Sequence, residues 1–306
     1  MNNDVMVGTW AWGPGNNGSQ MVFGKSYDEN SLKDTFEEAV RLGFTKWDTA
    51  AVYGMGSCEK LLGRFMNGRD DIFLSTKYFP NKKFKVGDLE KSFEESMERL
   101  GIKSADLFWI HKPINLKENL KDAIPLLNDG RIKSIGISNV SMQDIKMAEE
   151  LLSKEGFKLG AVQNHFSLLR NDQQTIIDYC NSKGIKYYAY MVLEQGALAG
   201  RYNAKHHFPA FSMRNLSFSK RKFKKIEGLL GLMNKIALNY NIDKSQVPIL
   251  WVIAKGAVPI VGITKKKYAE LLADALKVKL DPADIDRLTA EAAATGIRQQ
   301  GMWEPQ

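Results

Sequence analysis

Strand-like and helix-like runs alternate through almost the whole chain, and this alternation limits the possible folds more than any other feature of the sequence. Eight short apolar runs are each bounded by turn or helix-cap residues, as buried strands are. They cover residues 5–10, 44–50, 71–78, 105–113, 132–139, 159–166, 185–193 and 257–264. Helical patterns follow most of them, and glycines such as Gly43, Gly101 and Gly184 stand where those helices should end. Eight strand-then-helix units in 306 residues predict an α/β protein with a closed (β/α)8 barrel, the TIM barrel.

A doubly wound open sheet is the alternative architecture. Its dinucleotide-binding form requires the pattern G-x-G-x-x-G between an early strand and a helix. The glycine-rich segment GPGNNG (13–18) has a different spacing and a polar continuation, which favours a flexible loop. We therefore expect a single barrel domain over residues 1–306, in which residues 116–130 form one helical stretch. Long loops at the C-terminal face of the barrel are predicted at 10–27, 201–218 and 296–306.

Composition narrows the classes of protein that remain. No apolar stretch reaches the roughly 18 residues of a membrane span, and the segment MNNDVMVGTW lacks the basic start of a signal peptide. The two cysteines, Cys58 and Cys180, are too few for a disulfide framework and are typical of free thiols in a reducing compartment. We therefore expect a cytoplasmic protein without a membrane partner, monomeric or weakly self-associating.

The net charge of +8 indicates either nucleic acid or a smaller anionic ligand. The lysine-rich segments SKRKFKK (219–225) and TKKKY (264–268) lie beside helical patterns, and no nucleic-acid-binding motif accompanies them. Solvated helix faces account for most of this charge. We expect no nucleic-acid partner, while a phosphorylated small molecule remains possible near residues 264–267.

Polar residues stand at the ends of several predicted strands. Because chemistry in a (β/α)8 barrel takes place at the carboxyl ends of its strands, these residues are the candidates for a site. They are Asp48, Lys77, His111, Ser138, Asn139, Gln163, Asn164 and Tyr190. Tyr53 follows Asp48 on the same loop. Taken singly, Asp48 could cap a turn and Tyr53 could be ordinary packing, so the argument depends on the set.

Asp48, Tyr53, Lys77 and His111 together could donate a proton. A phenol has a pKa near ~10, and a neighbouring ammonium group favours the phenolate and lowers that pKa. An aspartate paired with the lysine would hold the cation in place, and a histidine could orient a carbonyl group or relay a proton. The set suits protonation of a carbonyl oxygen while another group delivers hydride to the carbon.

At these residues the chain resembles a known family. The segments DTAAVYG, STK, WIHKP, GISN, VQN and AYMVLEQGALAGRY are similar, in order, to the signature blocks of the aldo-keto reductases. The resemblance runs over nearly the whole chain and implies an NADPH-dependent carbonyl reductase on a (β/α)8 barrel, without a metal. It implies that Tyr53 is the proton donor, that Lys77 and Asp48 tune it, and that His111 positions the carbonyl. Histidine rather than glutamate at position 111 implies C=O rather than C=C reduction.

The same resemblance implies a set of cofactor-binding residues. Ser138, Asn139 and Gln163 would hold the nicotinamide carboxamide, and Tyr190 would stack on the ring. The remaining residues of the implied set are Gly8, Thr9, Trp10, Met191, Leu193, Gln195, Arg201, Gly262, Thr264 and Lys265. Lys265 to Lys267 beside Thr264 offer cations for the 2′-phosphate at the start of a helix, so NADPH is favoured over NADH.

Two segments depart from the family pattern. Met191 stands where many relatives have a serine, so it cannot give a hydroxyl hydrogen bond to phosphate. Backbone N–H groups and Arg201 are the alternative partners. Near the adenine, relatives often carry an arginine and a glutamate–asparagine pair. This chain has Tyr268, Leu271 and Leu272 there, with Glu270 close by.

Tryptophans are the candidates for the substrate pocket, because indole rings form flat apolar walls. They are Trp10, Trp12 and Trp303, with the loop 201–218 and the tail 296–306. His206 and His207 have no accompanying ligand cluster, so no metal is expected. A second function stays open, because barrels resembling this family also serve as regulatory subunits that bind the cofactor and report redox state to a partner.

Overall fold

In a computed structural model that describes residues 4–208 and 212–301, eight parallel strands close into a barrel. The strands are β1 (Met6–Gly8), β2 (Lys46–Asp48), β3 (Phe73–Tyr78), β4 (Leu107–Ile110), β5 (Ile135–Ser138), β6 (Ala161–His165), β7 (Lys186–Tyr190) and β8 (Val258–Gly262). Each strand pairs with the next along the chain, and β8 closes the barrel on β1, where Met6 lies opposite Ile260. The predicted (β/α)8 barrel is therefore confirmed, and each of the eight predicted strands has its counterpart.

Helices surround the strands. They are α1 (Ser19–Phe23), α2 (Glu29–Arg41), α3 (Ser57–Met66), α4 (Asp88–Leu100), α5 (Leu116–Asp122), α6 (Ile124–Asn128), α7 (Met142–Lys154), α8 (Gln174–Lys183), α9 (Met213–Ser217), α10 (Lys220–Lys225), α11 (Glu227–Tyr240), α12 (Val247–Ala254), α13 (Lys266–Ala275) and α14 (Pro282–Ala294). Short 3-10 segments occur at Tyr53–Gly56, Glu194–Ala199 and Lys244–Gln246. The helical stretch expected over 116–130 is divided into α5 and α6, because Pro125 has no N–H and its ring disfavours a continuous helix.

The amphipathic pattern of α2 shows how the helices attach to the barrel. Asp28 caps its first turn, where the carboxylate accepts a hydrogen bond from the Ser31 N–H at 2.8 Å. Leu32, Phe36 and Val40 follow at intervals of four, and all three are buried. Burial of such side chains contributes about 1.5–3 kcal/mol each, so the apolar stripe holds the helix on the strands.

The lower part of the barrel interior is a small apolar cluster. Its buried members are Met6, Leu107, Trp109, Ala161, Tyr188 and Val258. The Trp109 ring occupies the space beside Gly136 of β5, where an added Cβ would lie 2.3 Å from the ring. The barrel is therefore filled by side chains at this level, and the polar side chains lie above it, toward the carboxyl ends of the strands.

No helix in the described ranges 4–208 and 212–301 is both long and apolar enough to cross a bilayer.

Candidate active site

The alternation of side chains along the strands places the polar residues directly above the apolar cluster. Side chains alternate between the two faces of a strand, so every second residue of β3 and β4 faces the same way. On β4, Leu107 and Trp109 belong to the apolar cluster, and His111 is the next residue on that face. On β3, Ser75 and Lys77 follow Phe73, which packs against the same cluster.

Asp48 and Lys77 form a buried ion pair. β2 and β3 run parallel with Asp48 opposite Ser75, which places Lys77 two residues further along the same face. The Lys77 ammonium donates to the Asp48 carboxylate and, at 2.7 Å, to the Thr49 carbonyl. The Ser75 hydroxyl donates to the other carboxylate oxygen at 2.7 Å. The Lys77 side chain is fully buried, so this network replaces the water that the two charges lose.

Burial lowers the pKa of Lys77, and the charge and hydrogen bond of Asp48 act in the opposite direction. The carboxylate therefore favours the ammonium form in a place that would otherwise disfavour it.

Tyr53 lies beside this pair on the 3-10 segment after β2. Gly54 and Gly56 take positive φ angles of 56° and 86°, which let the chain turn sharply behind the phenol ring. The Lys77 nitrogen lies 5.0 Å from the centroid of the Tyr53 ring. The Trp10 ring stacks on Tyr53 at 5.8 Å, and the His111 ring meets it edge-on at 5.9 Å. Lys77, Trp10 and His111, three side chains from different parts of the chain, thus surround one phenol.

The pKa of Tyr53 moves in the opposite direction from the one expected from the sequence. Burial raises the pKa of Tyr53 well above 10, and the negative charge of Asp48 adds to the increase. The expected lowering by Lys77 is outweighed, because the ammonium is already paired with Asp48 and the ring is only 8% exposed. The phenol therefore keeps its proton at neutral pH, as a proton donor must.

His111 is neutral in this environment. Burial lowers its pKa well below 6.5, and the positive charges of Lys77 and Lys112 lower it further. Its backbone N–H donates to the Tyr78 carbonyl at 2.9 Å, which fixes the start of the loop after β4. A neutral imidazole can donate or accept a hydrogen bond without placing a second cation next to Lys77.

Amide and hydroxyl groups line the next strand ends. The Ser138 hydroxyl donates to the Gln163 carbonyl at 2.8 Å. Asn139 holds a left-handed backbone (φ 62°), and its side-chain N–H group donates to the His111 carbonyl at 2.9 Å. Its amide oxygen accepts from the Tyr190 hydroxyl at 2.5 Å. This network fixes the positions of the amides that the sequence singled out.

A buried pair of side chains, His165 and Glu194, lies beside Tyr190 and was not predicted from the sequence. The His165 ring stacks on Tyr190 at 5.5 Å, and its Nε2 lies 2.7 Å from Glu194 Oε1. The Ser167 hydroxyl donates to the same carboxylate oxygen. His165 and Glu194 are both almost fully buried, and His165 lies opposite Tyr190 in the register of β6 and β7, so the pair supports one face of the Tyr190 ring. The only signal in the sequence was the polar run QNH at the end of β6. His165 stands two residues after Gln163 and therefore faces the same way.

One cavity of about 500 Å³ joins these groups. Most of the predicted site residues line it: Gly8, Trp10, Asp48, Tyr53, His111, Ser138, Asn139, Gln163, Tyr190, Met191, Leu193, Gln195, Arg201, Gly262 and Thr264. Tyr268, Leu271 and Leu272 also belong to its wall. Lys77 lies behind the wall and reaches the cavity through Asp48 and Tyr53.

Three predicted site residues lie elsewhere. Thr9 is fully buried, and its hydroxyl donates to the Asp48 carbonyl at 3.2 Å. Trp12 packs against Trp47 in the core and donates to the Ile263 carbonyl at 2.8 Å, so it does not line the pocket as expected. Lys265 is exposed at the cap of α13 and is not part of the cavity wall. Trp303 lies outside the described residues.

Several residues that sequence reasoning missed complete the wall. They are Phe23, Lys25, Tyr27, Arg214 and Lys244, with Asp243, Ser245 and Gln246. Lys267, one of the lysines that the sequence offered for the 2′-phosphate, also lines the wall. Arg214 lies 6% exposed on α9, where it donates to the Phe23 carbonyl and, at 3.0 Å, to the Gln195 carbonyl. Its guanidinium also lies 4.6 Å from the Phe208 ring centroid. No local pattern indicates these contacts, because they join loops far apart in the sequence.

The cavity suits a nicotinamide nucleotide. An aromatic ring and fixed amides lie at the strand ends, and lysines and an arginine line the wall formed by later loops. Gln195 Oε1 and Gln246 Oε1 are buried, line the cavity and have no hydrogen-bond partner within the described residues. Buried polar atoms without partners are rare, so a ligand with matching donors is the natural complement. At Gly262, an added Cβ would have its nearest neighbour 3.8 Å away, which leaves room beside β8.

The strand ends of this barrel bring a phenol, a lysine–aspartate pair and a histidine to one such cavity, a set of groups that can transfer a proton. The model of the Aldo/keto reductase family matches residues 4–292, so the chain belongs to that family. The family resemblance inferred from the sequence is therefore confirmed.

Individual proteins agree with this assignment. The chain is 31% identical over 297 residues to an aldo-keto reductase of Schizosaccharomyces pombe, yakc, whose name includes NADP(+); the match covers 89% of this chain and 85% of that protein. It is 28% identical over 309 residues to a chloroplastic pyridoxal reductase of Arabidopsis thaliana, with 94% and 82% covered. The structure of a glycerol dehydrogenase from Gluconobacter oxydans superposes with a TM-score of 0.82 at 23% identity, covers 98% of this chain and 95% of its own, and supports the fold.

Proposed function

We propose that this protein reduces the carbonyl group of an aldehyde or ketone to an alcohol with NADPH, and that Tyr53 donates the proton. The observation that carries the proposal is the cavity at which Tyr53, His111 and Asp48 meet, with the Lys77 ammonium 5.0 Å from the phenol ring. Family membership supports the reaction class. The NADP(+) in the name of the Schizosaccharomyces pombe relative supports the cofactor.

Each side chain has a distinct part in this reaction. Tyr53 keeps its proton because burial raises its pKa, and it releases that proton to an oxygen that gains negative charge. Lys77 lies close enough to stabilise the phenolate that remains, and Asp48 holds Lys77 in place. Neutral His111 can donate an N–H to the carbonyl oxygen and so orient it. Bound NADPH would supply the hydride.

The residues proposed to hold NADPH follow the walls of the cavity. Ser138, Asn139 and Gln163 suit the carboxamide, because amides and hydroxyls both donate and accept. Tyr190 suits the ring, since His165 stacks against one side of it. Gly8, Trp10, Met191, Leu193, Gln195, Arg201, Gly262 and Thr264 would contact the rest of the nucleotide.

The loops that frame the site, the cytoplasmic location of the protein and its oligomeric state are also proposals. The loops 10–27, 201–218 and 296–306 are proposed to frame a pocket for a small carbonyl compound, with Trp10 as one wall. Cys58 and Cys180 are both buried free thiols, which agrees with a cytoplasmic protein. We expect it to be monomeric or weakly self-associating.

Replacement of Tyr53 by phenylalanine tests the proposal. Phenylalanine keeps the ring that packs on Trp10 and removes only the hydroxyl, so carbonyl reduction should fall by at least about 10²-fold. The affinity for NADP⁺, measured by quenching of tryptophan fluorescence, should stay within about twofold. Turnover is followed by absorbance of reduced nicotinamide with a panel of aldehydes and ketones.

Tyr78→Phe is the matched control, because Tyr78 is buried on β3 and does not line the cavity. It should leave turnover unchanged. Retained turnover in Tyr53→Phe would remove Tyr53 as the acid. A wild-type protein that binds NADPH but reduces no carbonyl compound would instead favour the regulatory function, which none of the comparisons supports.

A further inference from the structure

Three of the cations that line the cavity lie on neighbouring segments of its wall. Arg201 follows the 3-10 segment Glu194–Ala199, Lys244 begins the 3-10 segment Lys244–Gln246, and Lys267 lies in the first turn of α13. Lys244–Gln246 contacts both of the other elements, so the three side chains belong to one part of the wall. None of them forms an ion pair within residues 4–208 and 212–301. Cations gathered in this way repel one another unless an anion lies between them.

The position of Lys244 is determined by its packing. Its aliphatic stem crosses Gly200, where an added Cβ would lie 2.3 Å from Lys244 Cε and 2.5 Å from Cδ. Gly200 also takes a positive φ of 70°, so glycine is favoured there for two reasons. Lys244 is only partly exposed, unlike a lysine that extends freely into solvent. Its stem therefore packs on the backbone of the loop that carries Arg201, on the wall of the cavity.

Asp243, next to Lys244 in the chain, forms no ion pair with it within residues 4–208 and 212–301. Asp243 also lines the cavity, but its carboxylate accepts from the Ser245 N–H at 2.9 Å and the Ser245 hydroxyl at 2.5 Å. The Gln246 side chain is 4% exposed, lines the cavity and has a buried oxygen without a partner in the described ranges. A donor on the ligand could occupy that oxygen while an anionic group reaches Lys244.

We propose that Lys244 is a phosphate-binding residue of the cofactor groove and acts together with Lys267. The inference rests on the proposed function, since it takes the phosphates of NADPH as the missing anion. It assigns part of the phosphate contact to Lys244, which stands more than twenty residues before the lysines at the start of α13. It also agrees with the position of Lys265, which does not line the cavity, whereas Lys267 does.

Nucleotide affinities of Lys244 variants test the inference. The dissociation constants of NADP⁺ and NAD⁺ are measured by quenching of tryptophan fluorescence, a signal that needs no turnover. Lys244→Ala should weaken NADP⁺ about tenfold, because a hydrogen-bonded cation is lost. Lys244→Arg keeps the charge and should stay within about threefold of the wild type. Lys235→Ala on α11 removes the same charge from an exposed site outside the cavity and should change neither constant.

The pattern of losses identifies which phosphate is bound. Loss of NADP⁺ affinity with unchanged NAD⁺ affinity places Lys244 at the 2′-phosphate, and equal loss of both places it at the pyrophosphate. Unchanged affinity for both nucleotides in Lys244→Ala overturns the inference and leaves the proposed function intact. A wild-type protein that binds neither nucleotide removes both.

Discussion

Two opposing effects act on Lys77, and their balance explains why Asp48 is needed. Burial disfavours the ammonium, and the adjacent carboxylate favours it by charge and hydrogen bonding. The ion pair therefore places the Lys77 ammonium next to the Tyr53 ring, with its charge balanced by the Asp48 carboxylate. The energetic consequence is asymmetric, because loss of one partner leaves an uncompensated buried charge, whereas loss of both does not.

Variants of the pair can separate this effect on stability from the effect on catalysis. Lys77→Met should lower the free energy of unfolding by about 3–5 kcal/mol, because the Asp48 carboxylate stays buried without its cation. Adding Asp48→Asn should restore most of that loss, since the amide can still accept from Ser75. Urea denaturation measures both values, and neither variant should reduce carbonyl compounds. A double variant no more stable than Lys77→Met alone would contradict the account.

His111 should contribute a pH-dependent part of the stability. Its pKa is lowered in the folded protein, so below pH 6.5 the unfolded chain takes up a proton that the folded chain does not. Stability from this group is therefore present above pH 6.5 and is lost as the pH falls. Between about pH 7.5 and about pH 5.5 the loss should be on the order of 1 kcal/mol.

The comparison is between urea denaturation of the wild type and of His111→Gln at both pH values. The variant should lose on the order of 1 kcal/mol less than the wild type over this range, because glutamine does not titrate. Equal losses in the two proteins would show that His111 can be protonated in the folded state.

At the scale of elements, the sequence predicts what is local and repetitive. The strands are recognisable because they are apolar on both faces, although β2 spans only Lys46–Asp48 of the predicted 44–50. The helix over 116–130 is broken because one proline overrides an otherwise helical pattern. The helices α1 and α9 lie inside predicted loops, since five residues give too little periodicity to detect.

The loops between elements are joined by contacts that no local pattern reveals. Arg214 of α9 donates to carbonyl groups of Phe23 and Gln195, which belong to two other loops of the cavity. Trp10 and Trp12 are two residues apart, yet Trp10 lines the cavity and Trp12 packs in the core. The grouping of Asp48, Tyr53, Lys77 and His111 could be predicted because strand ends meet by topology, whereas the pocket wall depends on the path of each loop.

At the scale of the whole molecule, apolar and polar side chains occupy different levels along the barrel axis. The apolar cluster around Trp109 fills the lower level, and the charged and polar groups occupy the level above it. The buried charges of Asp48 and Lys77 above this core are poorly screened by solvent, whereas Arg201 and Lys267 on the cavity wall are exposed to it. The net charge of +8 and the cations of the cavity wall therefore act together on an anionic nucleotide.

The combined field should make nucleotide binding sensitive to salt, and more so for NADP⁺ than for NAD⁺, because NADP⁺ has an additional phosphate. Raising sodium chloride from about 20 mM to about 300 mM shortens the screening length from roughly 20 Å to roughly 6 Å, so the dissociation constant of NADP⁺ should increase about five- to tenfold. That of NAD⁺ should increase less, and a neutral solute such as sucrose should change neither. Both constants are measured by quenching of tryptophan fluorescence. Parallel salt dependence of the two nucleotides would mean that the positive field acts only on the pyrophosphate that they share.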